Sequence, residues 1–440
     1  MVFWLALLVA FVPALVEAAP TIQEVLLRAK PAVVLVISEV VAEVRLRCPG
    51  GDETVTPPPL RETGTGWFVN PSGWLITNAH VVSAAQRPPE SLESQQVQQV
   101  QKAARPGCRV VSAKLDPSIS VILSNGFRLA ATVVKYSPPV AGEEMSGQDL
   151  ALLKLEAADM PSLAFGNSDA AKIGDRVHII GFPGVVLTHE LLNASAKVEA
   201  SITNGAVSGF HRDRTGQPVI QTDAPAAWGN SGGPAINDSG EVIGVLTFVT
   251  LEGEQSGLVQ GFNFVIPSRV VRQFLQGTEV TLDEPSPFNR AWHLALTDFF
   301  AGNHRRAEAA FVEANRLLPE LPDLMRLSRE NAERIKNPPP RAFPWAALAS
   351  TITGLSLAVL GGLLGWRWKR NRFRITPAAA ARLIDALPDP PVILDVREAT
   401  AYERSPLRIP NSRHITEQGL ESGRPDLGID PGRMVVAYCT

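Results

Sequence analysis

A surplus of either charge is missing from this chain. Its 440 residues carry 41 lysines and arginines against 44 aspartates and glutamates, a formal net charge of −3. With no basic excess to neutralise a phosphate backbone, the composition argues against a nucleic-acid partner. Charged residues are scarce altogether, at 19%, while 36 prolines punctuate the sequence. That balance fits folded and apolar segments joined by linkers, not a disordered chain. Cysteine is rare too: only Cys48, Cys108 and Cys439 occur. A chain of this length exceeds one core and calls for two to four domains.

Two apolar runs set the organisation. Residues 3–16, FWLALLVAFVPALV, are too short to span a bilayer comfortably and have no basic lead-in. With Val16 and Ala18 at small-residue cleavage positions, they predict a secretory signal peptide over residues 1–18, an uncleaved anchor being the alternative. Residues 343–366, FPWAALASTITGLSLAVLGGLLGW, carry no charge and have Trp345 and Trp366 near their ends. They predict a transmembrane helix over 344–366. Arg367, Lys369, Arg370, Arg372 and Arg374 follow it, against Lys336 and Arg341 before it. The excess of cations places the C-terminal side in the cytoplasm and the segment between the two runs outside it, periplasmic or extracellular. Cys48 and Cys108 then lie in an oxidising compartment, where a disulfide between them and two free thiols are both open. Gly361 and Gly365 form a small-xxx-small pair, which leaves a homo-oligomer open as well.

The exported part reads as all-β. Runs such as AVVLVISEVV, GTGWFV, GWLIT, DLALLKL, DRVHIIGFP, PVIQTD, GEVIGVLTFV and GFNFVIP are short, rich in β-branched residues and separated by turn clusters. Such a series argues for barrels or sandwiches. Helix is expected only at the two ends, over residues 21–29 and in SRVVRQFLQG.

Three side chains in this part have the chemistry of nucleophilic hydrolysis. Ser231 sits in WGNSGGP, His80 in TNAHVV and Asp149 at the head of DLALLKL. A serine is a poor nucleophile until a base takes its proton, and histidine titrates near the working pH. A carboxylate then fixes the imidazole tautomer and stabilises its charged form. The chain order His80, Asp149, Ser231 is that of chymotrypsin-type enzymes. The oxyanion-hole candidates are Gly229, Asn230 and Ser231, with the Gly229 and Ser231 amides as the natural donors. Asp116, in KLDPS, is the second carboxylate to consider, although Asp-Pro-Ser reads more simply as a turn.

GTGWFV…GWLITNAHVV, DLALLKL, IGDRVHIIGFP and QTDAPAAWGNSGGPAIN…GEVIGV…GFNFVIPS resemble the HtrA (Deg-type) trypsin-like serine proteases over roughly residues 21–275. The resemblance implies a double β-barrel over residues 19–280 and peptide-bond hydrolysis through an acyl-enzyme on Ser231, with no metal and no cofactor. Three features depart from that family. Residues 84–118 form a polar insertion, read as a mobile loop tethered through Cys108. Trp228 stands where a small residue or proline is usual. No PDZ-like segment follows residue 275. DAPAAW offers no acidic side chain at the expected base of the primary pocket, so small or medium aliphatic side chains are the expected preference.

Residues 288–336 read as three helices broken at Gly302-Asn303 and at Pro319 and Pro322. Ala295, Gly302, Ala307, Phe311, Ala314 and Pro319 match the spacing of a tetratricopeptide repeat. One repeat cannot bury its own apolar face, so it is expected to dock on the protease, on a second copy or on a partner. Residues 377–440 resemble the first part of a rhodanese-like domain, through ILDVRE with Asp395 and Arg397, RIPNSRHI, and VVAYC with Cys439. The expectation is a membrane-tethered exported serine endopeptidase acting on unfolded or envelope proteins. The alternatives are a protease fold that binds peptides without cutting them, and a membrane protein whose sulfur chemistry sits at Cys439.

Overall fold

The computed structural model describes residues 19–138, 147–187, 199–213, 216–247, 262–338, 345–386, 388–421 and 428–439. The predicted signal peptide and Arg341 lie outside these ranges. The described chain divides into two units, residues 1–339 and 340–440.

The first unit begins with helix α1, Ile22–Ala29, capped by the Thr21 hydroxyl accepting from the Glu24 amide. Strand β1, Val33–Cys48, follows. Its first eight residues are all buried and its last eight alternate. That switch marks where the strand leaves a barrel covered on both faces and continues as an arm with one wet side. With β2 (Gly51–Val55), β3 (Leu60–Phe68), β4 (Trp74–Thr77), β5 (Arg109–Ile122), β6 (Arg128–Ser137) and β7 (Leu150–Leu155), it forms a sheet ordered β2-β1-β3-β4-β7-β6-β5. Pairing of β5 back onto β1, from Leu35↔Ile122 to Arg47↔Arg109, closes this sheet into a six-stranded barrel with β2 outside it. A second closed barrel, ordered β10-β13-β12-β11-β8-β9, uses β8 (Arg176–Gly181), β9 (Ser201–Arg212), β10 (Pro218–Thr222), β11 (Pro234–Ile236), β12 (Val242–Thr247) and β13 (Asn263–Pro267). The two closed six-stranded barrels match the double-barrel expectation.

Helix is not confined to the ends, contrary to expectation. Helix α2, Ala79–Gln86, follows β4 directly, and the polar insertion contains α3, Glu90–Ala103, instead of a loop. Only Leu92 and Val100 of α3 are buried. At a spacing of eight they lie on one helical face. Val100 packs on Val44 and Leu46 of the β1 arm. A Cys48–Cys108 disulfide ties the tip of that arm to the start of β5. So sparse a stripe, in a run of glutamines, gave too weak a 3.6-residue period to read as helix.

A short helix α4, Gly184–Leu187, follows β8, and α5, Ser268–Leu275, follows β13. Helices α6 (Pro287–Phe300), α7 (His304–Leu317) and α8 (Pro322–Lys336) occupy the predicted helical segment. They dock on the first barrel and α1. Phe288, Trp292, Leu296, Phe299 and Phe311 share one buried cluster with Leu27 of α1 and with Val34, Phe68, Leu75 and Leu153 of the first barrel. Trp292 donates its indole N–H to the Leu27 carbonyl at 2.7 Å. Lys30 bridges Asp323 of α8 and Glu199, at 2.7 and 3.0 Å.

The second unit contains α9, Trp345–Asn371, long and apolar enough to cross a membrane by length and composition. It also contains α10 (Pro377–Ala386), β14 (Val392–Asp395), α11 (Ala399–Arg404), β15 (Arg413–His414), α12 (Glu417–Glu421) and β16 (Val435–Tyr438). Its three strands pair in parallel, β15-β14-β16. Asp395 is fully buried and held by Arg397 and by the Tyr438 hydroxyl at 2.6 Å each. These hydrogen bonds, led by that from Arg397, overcome burial and hold the Asp395 carboxyl well below the usual carboxylate range. Cys439 is an exposed free thiol.

Candidate active site

Pairing of β4 with β7, in the register Thr77↔Ala151, sets the end of one strand beside the start of the other. His80 is the second residue of α2, just past β4, and Asp149 immediately precedes β7. Their meeting therefore follows from strand register. Asp149 Oδ1 accepts from the His80 amide at 3.0 Å, and its carboxylate lies 2.9 and 3.1 Å from His80 Nδ1. Asp149 adopts φ +50°, a left-handed conformation that short polar residues tolerate better than most. Asn78 Nδ2 donates to the Asp149 carbonyl at 2.8 Å and holds that turn. Asp116 lies in β5, paired with Val41, and plays no part here.

No sequence motif points to a further partner. Thr247, at the end of β12 in the second barrel, donates to Asp149 Oδ2 at 2.8 Å. Each carboxylate oxygen thus has a donor, and the carboxylate bridges the two barrels. Burial disfavours charge on His80, yet its hydrogen bond to Asp149, the charge of Asp149 and that of Glu62 outweigh it. Its pKa is held above the usual histidine value. The ring is therefore a base strengthened by its carboxylate.

Ser231 is buried, in the turn between β10 and β11. Gly229 and Gly232 on either side of it have φ +94° and +86°. Both angles favour glycine. At Gly232 a side chain is also excluded by contact, since a Cβ there would lie 2.9 Å from the Asn78 amide and 2.4 Å from Thr77 Oγ1. The nucleophile turn thus abuts the turn that leads into His80. Among the described residues the His80 ring bonds to Asp149 only, and no hydrogen bond joins it to Ser231 Oγ. Such contacts are often long in unliganded sites.

The amides of this turn divide sharply. The Asn230 amide donates to the Ala227 carbonyl at 3.0 Å, which removes it from the set of oxyanion donors. The amides of Gly229 and Ser231 donate to no backbone carbonyl among the described residues. The Trp228 carbonyl accepts from the Gly184 amide at 2.5 Å. In a trans peptide, N–H points away from the preceding C=O, so this bond turns the Gly229 N–H in the opposite direction. Trp228 itself is 61% exposed beside these buried residues. Cys439 belongs to the second unit, and Cys48 and Cys108 are bonded to each other on the arm. No group of three or more His, Cys, Asp or Glu suited to a metal ion occurs among the described residues.

Two closed barrels bring a histidine, a carboxylate and a serine onto adjoining turns, and this arrangement is similar to that of trypsin-like serine proteases. Residues 64–245 match the family model of the trypsin-like peptidase domain. The chain is 31% identical over 226 residues to a "Probable periplasmic serine endoprotease DegP-like" of Chlamydia pneumoniae, covering 50% of this chain and 35% of that protein. It is 30% identical over 227 residues to a protein of the same description from Pseudomonas fulva, covering 51% and 36%. The chain thus spans about a third of the length of these curated relatives. Among solved structures, "HtrA-type protease AlgW with tripeptide" is similar at 24% identity and a TM-score of 0.37, covering 58% of this chain and 63% of that one.

Proposed function

We propose that this protein is an exported serine endopeptidase, tethered by α9, that cleaves unfolded or envelope proteins through an acyl-enzyme on Ser231. The observation that carries the reading is the turn around Ser231, with the Gly229 and Ser231 amides unclaimed by any described residue, beside a histidine whose Nδ1 lies 2.9 Å from a carboxylate. His80 takes the Ser231 proton as Oγ attacks the scissile carbonyl. The two amides receive the developing oxyanion. Collapse of the tetrahedral intermediate breaks the C–N bond, and His80 returns the proton to the leaving amine. Water, deprotonated by the same ring, then hydrolyses the ester. Asp149 holds the tautomer that leaves Nε2 free for these transfers.

With α9 in the bilayer, the cations from Arg367 to Arg374 face the cytoplasm and the barrels lie on the other side. Helices α6–α8 are read as a tetratricopeptide-like element, and residues 377–440 as a rhodanese-like one. The primary pocket takes small or medium aliphatic side chains. A peptide library cleaved mainly after Arg or Lys would overturn that preference.

A fluorophosphonate probe tests the reading. It is expected to label the wild type and not Ser231→Ala, and the wild type is expected to degrade an unfolded protein. Labelling that survives the substitution, or folded wild-type protein that neither labels nor cleaves, would overturn it. The second result would favour a peptide-binding scaffold, a reading supported by the lack of a Ser231–His80 hydrogen bond among the described residues.

A further inference from the structure

Four consecutive carbonyls shape the nucleophile turn, and each accepts from a donor among the described residues. The Trp228 carbonyl accepts from the Gly184 amide, that of Asn230 from the Gly233 amide at 3.0 Å, and those of Gly229 and Ser231 both from Thr65. The Thr65 hydroxyl donates to the Gly229 carbonyl at 2.6 Å, and the Thr65 amide to the Ser231 carbonyl at 2.8 Å. One residue of β3, in the first barrel, therefore holds two of the four peptide planes of a turn in the second barrel.

The Thr65 hydroxyl has no freedom to point elsewhere. The Phe182 amide donates to Oγ1 at 3.0 Å, so the single hydroxyl proton goes to Gly229. The Thr65 carbonyl accepts from Thr77 Oγ1 at 2.7 Å, and the residue is fully buried. Glycines of the second barrel make room for it. A Cβ at Gly181 would lie 2.9 Å from Thr65 Oγ1, one at Gly232 2.2 Å from the Thr65 carbonyl, and one at Gly233 3.2 Å from Thr65 Cγ2. So crowded a seat leaves the hydroxyl little room to move.

We propose that Thr65 is a positioning residue that holds the Gly229 and Ser231 amides in the orientation that receives the oxyanion. The inference rests on the serine-peptidase reading. Thr65 reaches no substrate and acts through the turn. Fixing the Gly229 and Ser231 carbonyls at both ends leaves the enclosed plane, whose N–H is that of Ser231, little room to rotate. It also keeps the Gly229 Cα from following a flip of the Trp228–Gly229 peptide. Serine at this position keeps the proton on Gly229. Valine keeps the shape and removes it.

The test uses the full chain in detergent, with kcat and KM for a peptide ester and affinity for a peptidyl boronate, whose tetrahedral adduct fills the oxyanion site. Thr65→Val is expected to lower kcat about a hundredfold, the scale of losing one oxyanion donor, with KM within about threefold of the wild type. Boronate affinity is expected to fall in parallel with kcat. Thr65→Ser is expected to stay within about threefold of the wild type in both. If Thr65→Val is not recovered folded, Thr65→Ala, which spares the Thr65 amide bond to Ser231, carries the same expectation.

A Val or Ala variant with wild-type kcat and boronate affinity would overturn the proposal. So would a Ser variant as impaired as Val, because packing of the methyl group would then be the cause. Failure of the peptidase reading itself appears separately, as wild-type protein that takes neither fluorophosphonate nor boronate.

Discussion

Substitution of Trp292, in the middle of α6, asks whether the three helices are an appendage or part of the double-barrel domain. The indole is fully buried. It packs against Phe311 and Phe288, with ring centroids 6.0 and 6.4 Å away, and its N–H is bound by the Leu27 carbonyl of α1. Two variants separate polarity from volume. Trp292→Phe retains most of the apolar surface and leaves the Leu27 carbonyl without this donor, at a cost of about 1–3 kcal/mol. Trp292→Ala also opens a cavity inside the cluster shared with the first barrel, and is expected to cost about 3–5 kcal/mol. The assay is urea unfolding of the full chain in detergent, followed by hydrogen exchange in α6–α8 and by fluorophosphonate labelling of Ser231 at each urea concentration. Because one core serves both parts, loss of helix protection and loss of labelling are expected at the same urea concentration. That midpoint should fall from wild type to Phe to Ala. Helices that open first in Trp292→Ala, while labelling keeps its wild-type midpoint, would refute the shared core.

Asp149→Asn removes the carboxylate charge and favours the wrong tautomer of His80, so kcat is expected to drop by about 10⁴-fold with little change in KM. In the wild type the raised His80 pKa puts the acid limb of kcat/KM above the usual histidine value, and in the variant that limb should move down. The same shift acts on stability with a definite sign. A pKa raised on folding stabilises fully below the unfolded value of about 6.5, and its contribution fades as pH rises through the folded value. Denaturation of wild type and Asp149→Asn at pH 5.5 and pH 8 checks this, and a wild-type advantage that grows toward pH 8 would contradict it. Replacing Cys48 and Cys108 by serine opens a link between residues 60 apart. It is expected to cost about 2–4 kcal/mol, read as increased exchange in α3 and the β1 arm, with Ser231 labelling retained.

Much of this was legible in the residues. Alternating β-branched runs and turn clusters marked the strands, because a half-buried strand imposes a period of two. The apolar run from Trp345 was equally clear, since its length and lack of charge are local properties. Helix α3 was not, because a stripe of two apolar side chains in a glutamine-rich run is below what periodicity can resolve. Its place became visible only with Val44 and Leu46 beneath it. The docking of α6–α8 had three open outcomes, and an unpaired repeat cannot say which surface will cover it.

At the site, the sequence by itself determined the chemistry available: a histidine after one strand, an aspartate before another, and a serine among glycines. These are local choices, imposed by strand ends and by backbone angles that few residues adopt. Tertiary structure alone decided which groups hold them. Thr247 lies 98 residues from the Asp149 it serves, and Thr65 lies 164 residues from Gly229. The Asn230 amide dropped out because its N–H turned toward Ala227. Hydrogen-bond direction depends on how two barrels face each other, and no periodicity within either strand encodes that.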